Sequence, residues 1–183
     1  AWSPDGLRFA SSDKTGEIRL WDPRAGKGVG SPLRGHKQWV TSLCWEPMHR
    51  NSGKCERLAS ASKDKTVKVW NVRTGRVELS LCGHTDSVEA LRWGGVGFLY
   101  SASRDRTIKV WSVENNTGEA AAGNEAGKLV RTLSGHGHRV NSLALSCEAV
   151  CRTGPFDHTS NAHFADSDAA AARAQERYDT CGG

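Results

Sequence analysis

Serine, histidine and aspartate recur together along this chain, and these three residue types can build a nucleophilic relay. His36 precedes Ser60, Ser62 and Asp64, and His84 precedes Ser101, Ser103 and Asp105. In a hydrolytic triad a carboxylate orients an imidazole, which takes the proton of a serine hydroxyl. The same groups also make a structural chain of hydrogen bonds. In that chain the imidazole bridges the carboxylate and a strand hydroxyl, and the hydroxyl accepts from an indole N–H, here that of Trp70 or Trp111. Repetition separates the two readings. Asp64 and Asp105 each lie six residues before their tryptophan, whereas one reaction needs one site. No nucleophile elbow accompanies either set. A buried carboxylate costs several kcal/mol unless it is satisfied, and a fully connected network instead locks strand register. The sets are therefore read as internal fasteners, and His136, in a further Gly-His pair, is expected to begin another.

Other sets that could do chemistry fall short of their geometry. Cys147 and Cys151 are followed by His158 and His163, but six residues separate Cys151 from His158, where a zinc finger has about twelve. Gly94, Gly95 and Gly97 lack the Lys-Ser/Thr of a phosphate loop. Asn115-Asn116-Thr117 spells a glycosylation acceptor, but no secretory context accompanies it. No catalytic residue, cofactor or metal is implied.

The elements that must position these residues are short strands. Apolar alternation of period two marks 39–45, 57–62, 66–71 and 76–81, and then 87–93, 98–103, 107–112 and 129–133. Threonine, valine, isoleucine and tryptophan dominate them, as suits a half-buried pleated surface. Arg73-Thr74-Gly75 and Gly94-Gly95 mark turns in which glycine can take a positive φ. Gly35-His36, Gly83-His84 and Gly135-His136 recur at spacings of roughly 40–50 residues, the period of a propeller blade. The organisation expected is a partial repeat over 1–34, repeats over 35–82 and 83–134, and the start of another over 135–183. The polar, Ala/Gly-rich stretch 114–127 reads as an inserted surface loop. After Cys151 the pattern stops; 153–164 reads as irregular, and the Ala-rich run from Ser167 reads as a short helix with a Ser/Asp cap.

No apolar run is long enough to span a membrane as a helix, and no secretion signal is visible. The chain opens inside a repeat, which suggests a piece of a longer protein. The 183 residues carry a net charge of +5, and the basic excess lies in the repeats: residues 1–113 hold 19 Lys+Arg against 11 Asp+Glu. The six cysteines do not recur in register, so they read as free thiols in a reducing compartment.

The two full repeats, GHKQWVTSLCW…LASASKDKTVKVWN and GHTDSVEALRW…LYSASRDRTIKVWS, resemble the WD40 β-propeller family, over roughly residues 1–145. The first repeat departs from the pattern: Thr15, not Asp, lies six residues before Trp21. Its fastener must be weaker or rebuilt. The resemblance implies an all-β partial propeller of about three blades plus an incomplete fourth, with a short C-terminal helical insertion. Three and a half blades cannot close on themselves, so such a piece alone is expected to be open at its ends. Trp45-Glu46-Pro47, LRWGG at 91–95, GHGHRVNSLALS at 135–146 and Arg152-Thr153-Gly154 are similar to the Notchless branch of eukaryotic ribosome-assembly WD40 proteins. That similarity implies a non-catalytic scaffold in the nucleus and nucleolus, working on the large (60S) ribosomal subunit. Its partners would be pre-60S proteins, ribosomal RNA, and a midasin-type AAA ATPase reached through a ubiquitin-like domain that is not in this sequence. The alternative is another WD40 scaffold, a signalling or ubiquitin-ligase adaptor.

In a propeller, the connections that hold the Gly-His pairs and the Asp turns share one face. The residues flanking them are Lys37, Trp39, Lys63, Lys65, Arg104, Arg106, His138 and Arg139. Cations beside an exposed aromatic suit a phosphate backbone or an acidic protein surface. These eight are the candidate partner-binding residues.

Overall fold

A computed structural model describes residues 1–50, 54–113, 126–156 and 166–181. Among these residues, twelve strands form three antiparallel four-stranded sheets, each built from one consecutive part of the chain. The first comprises β1 (Phe9–Ser12), β2 (Glu17–Asp22), β3 (Lys27–Gly28) and β4 (Leu33–Arg34), with β3 and β4 sharing one edge of β2. The second runs β5 (Val40–Trp45), β6 (Arg57–Ser62), β7 (Thr66–Asn71), β8 (Arg76–Cys82). The third runs β9 (Val88–Trp93), β10 (Phe98–Ser103), β11 (Ile108–Ser112), β12 (Leu129–Leu133). These bounds agree with the alternation in the sequence to within a residue.

Register is repeated as faithfully as sequence. Ser60 faces Lys68 and Leu58 faces Trp70 in the second sheet; Ser101 faces Lys109 and Leu99 faces Trp111 in the third. Alternation sends neighbouring side chains of one strand into two different cores. Leu58 and Trp70 pack with Ile18, Leu20 and Leu33 of the first sheet. Ala59, Ala61, Val67 and Val69 pack with Val88, Leu91, Leu99 and Trp111 of the third. The sheets are stacked blades, each tryptophan wedged toward the preceding one. The glycine of each Gly-His pair has a steric reason as well. A Cβ on Gly35 would lie 3.0 Å from the Trp70 ring, and one on Gly83 would lie 3.1 Å from the Trp111 ring.

The chain beyond β12 departs from the strand pattern. Val140 is buried against Ala90 and Ala102, and its N–H donates to Ser103 O at 3.1 Å. Residues 134–145 nonetheless form no strand, and among the described residues no partner strand is paired with them. Cys147 caps the start of a helix, α1 (Glu148–Thr153), and Cys151 lies within it. The Ala-rich run forms α2 (Ser167–Thr180), capped by Asp166, whose carboxylate accepts from Ala169 N–H at 2.8 Å. Ala170, Ala174 and Tyr178, four residues apart, are the buried stripe of α2. They cover the 3-10 turn Met48–Arg50 and the β9–β10 turn, where the Tyr178 ring stacks on His49 with centroids 4.8 Å apart. Of the turn glycines, Gly75 and Gly97 take positive φ. Gly94 and Gly95 do not. Gly95 is required for room, since a Cβ there would lie 2.0 Å from the Tyr178 ring.

Candidate partner-binding face

Each strand has two ends, and the Gly-His connection and the Asp turn sit at the same one. In the second blade His36 Nδ1 lies 2.8 Å from Asp64 Oδ2, and its Nε2 lies 2.7 Å from Ser60 Oγ. Trp70 Nε1–H donates to the same Ser60 hydroxyl at 2.8 Å. The third blade brings His84, Asp105, Ser101 and Trp111 together at 2.7, 2.8 and 2.8 Å. A neutral imidazole satisfies every group: Nδ1–H donates to the aspartate, and Nε2 accepts the serine proton. Ser62 and Ser103 do other work, accepting from Asp64 N–H and Asp105 N–H across the turn.

Burial depresses the proton affinity of His36 and His84, against the pull of their aspartates. Burial alone would raise Asp64, but hydrogen bonds from Thr66, Lys37 N–H and His36 outweigh it and bring it down to about 2. Asp105 reaches about 2 through Thr107, His84 and Thr85 N–H. Ser60 and Ser101 are fully buried under their tryptophans. Each hydroxyl is already shared between an imidazole and an indole N–H.

The first blade is rebuilt around a different carboxylate. Trp21 Nε1–H donates to Ser11 at 2.8 Å, the same ten-residue step as Trp70 to Ser60. Asp13, at the position of Ser62, accepts from Thr15 N–H, the Thr15 hydroxyl and Glu17 N–H. The left-handed turn position is Gly16 here (φ 88°), but Lys65 (φ 70°) and Arg106 (φ 69°) in the other blades. His136 is a correction to the sequence reading. It is exposed, and among the described residues it joins no such network, because the chain turns into α1 before any partner strand appears.

The outward side chains divide unevenly. Trp39 is 44% exposed. Lys63 Nζ lies 3.9 Å from its ring centroid and Lys14 Nζ lies 4.8 Å away, so the indole spans the boundary between first and second blades. Lys14 escaped the sequence reading, although it occupies the position of Lys63 in its own repeat. Lys37 and Lys65 flank this set and are exposed. Arg106 is exposed as well, but Arg104 is tied to Glu89 at 2.7 Å. His138 and Arg139 are exposed two connections further on.

The thiols are free among the described residues. Burial pushes Cys44 up to about 11 and Cys55 up to about 12, out of the nucleophilic range. Cys147 and Cys151 lie with Sγ atoms 3.7 Å apart; His158, His163 and most of the 114–127 loop, with Asn115-Asn116-Thr117, lie outside the described residues.

The repeated fastener, Gly packed on Trp and Asp bonded to His, agrees with comparison to known proteins. The family model for the WD domain, G-beta repeat, matches residues 1–22, 27–71 and 75–112. This chain belongs to the WD40 family. It is 46% identical to Protein Notchless of Drosophila melanogaster, over 85% of this chain and 38% of that one. It is 42% identical to Ribosome assembly protein 4 of Saccharomyces cerevisiae, over 87% of this chain and 29% of that one. The chain thus spans less than two fifths of the length of these relatives. Among solved structures, the WD40 repeats of RRP9 superpose with a TM-score of 0.63 at 27% identity, covering 78% of this chain and 39% of that one.

Proposed function

We propose that the chain is part of a non-catalytic WD40 scaffold in large (60S) ribosomal subunit assembly, working in the nucleus and nucleolus. What supports this is the similarity to Notchless and Ribosome assembly protein 4 over more than four fifths of the chain. One structural observation carries the proposal. The chemically capable His, Asp and Ser groups are consumed inside the blades, while Lys14, Lys37, Lys63, Lys65 and Trp39 stay outside with no carboxylate partner among the described residues. On this reading the face contacts pre-60S proteins and ribosomal RNA, with Arg106, His138 and Arg139 extending the surface. A midasin-type AAA ATPase would be engaged elsewhere in the full protein. Reversal of Lys37, Lys63 and Arg139 to glutamate in the full protein is expected to weaken co-sedimentation with the large-subunit precursor and to leave the denaturation midpoint unchanged. Undiminished co-sedimentation of the folded variant would overturn the proposal.

A further inference from the structure

We infer that Trp39, with Lys14, Lys37 and Lys63 around it, is a binding site for single-stranded RNA, the indole taking a base on its face and the lysines taking the adjoining phosphates. The inference deepens the reading of this face as the contact surface and rests on it. The partner class follows from what surrounds the ring. Trp39 is exposed, and two ammonium groups lie over its ring, that of Lys14 from the first blade and that of Lys63 from its own. An aromatic anchor for a protein partner sits in an apolar patch that excludes water, and lysine is depleted from such patches while arginine is enriched. The cations here are all lysines, which bind phosphate as point charges on flexible stems. No ion pair with a carboxylate holds any of them among the described residues, and Lys14 and Lys63 rest on the indole.

The indole adds what a purely cationic patch lacks. Base stacking on an aromatic ring is tolerant of sequence and combines with a positively charged track along the backbone. It also selects single strands, because a base inside an A-form duplex offers no face to a side chain. In the free protein the Lys63 ammonium rests on the ring at 3.9 Å. A stacking base takes that place, and the released ammonium lies beside the next phosphate. The third blade makes no such site: Ser87 stands where Trp39 stands, and Arg104 is held by Glu89.

The test uses the full chain and a fluorescein-labelled 15-nucleotide uridine strand followed by anisotropy. Trp39→Ala is expected to weaken binding roughly 5- to 100-fold, and Trp39→Phe to restore most of it. Lys63→Gln is expected to lower the slope of log affinity against log salt by about 0.7. Equal binding by Trp39→Ala, equal affinity for an RNA duplex, or displacement by poly-glutamate at the same charge concentration would each overturn the inference, the last pointing to an acidic protein instead. If the uridine strand fails while charge reversal still abolishes pre-ribosome co-sedimentation, the RNA site alone falls. If the strand binds through Trp39 while co-sedimentation survives reversal, the proposed function falls.

Discussion

The two ends of the strands are held by different physics. At the Asp-turn end, closure is polar and internal: His36 and His84 each bridge a carboxylate and a buried hydroxyl. At the other end, closure is largely apolar and external, with α2 laid over the Met48–Arg50 turn and Gly95. The charges follow suit. At the helix-covered end arginines are spent on the fold: Arg57 reaches Glu46, Glu78 and Val113 O, and Arg92 pairs with Glu148 at 2.9 Å. At the turn end the lysines are left over. A blade that fastens itself with imidazole and buried serine needs no surface cations for that closure, which is why the proposed contact face can carry them.

The contrast breaks first at the polar end. Asp64→Ala and Asp105→Ala each leave a buried imidazole and its serine without their anchor, and each is expected to cost about 3 kcal/mol. Because the two networks share geometry, the two losses should agree to within about 1 kcal/mol in denaturant titrations of the full chain. A tolerated Asp105→Ala would mean that the blades are not held alike. A smaller effect is expected at the helix-covered end. Gly95→Ala drives a methyl into the Tyr178 ring and should cost about 1–2 kcal/mol by displacing α2. Hydrogen exchange should then speed up in 167–180 while the amides of β6 and β10 stay protected. Loss of protection in those strands would show that helix and blades are one cooperative unit.

Much of this was legible because it repeats. Alternation and turn residues place β6, β7, β10 and β11, and the six-residue Asp-to-Trp step makes sense only when seen twice. What stayed hidden depends on neighbours remote in sequence. Nothing local in Gly95 announces Tyr178, which arrives 83 residues later. Lys14 joins Trp39 because adjacent blades stack, a relation that repeat alignment could have exposed. His136 has the matching glycine in sequence, but among the described residues no aspartate or serine joins it. A Gly-His pair without its strand and Asp turn is only an exposed loop.

Histidine chemistry gives the most direct test. The two hydrogen-bond networks require neutral imidazoles with the proton on Nδ1. Nitrogen-15 NMR of the full chain should therefore find His36 and His84 in that tautomer and titrating below ~6.5, the ordinary histidine value. The unfolded chain takes up the protons that the fold refuses. Stability should thus decline as pH falls below that value, and decline again between about 3.8 and 2 as the aspartates protonate. Imidazoles that titrate at the ordinary value, or that carry the proton on Nε2, would contradict the account.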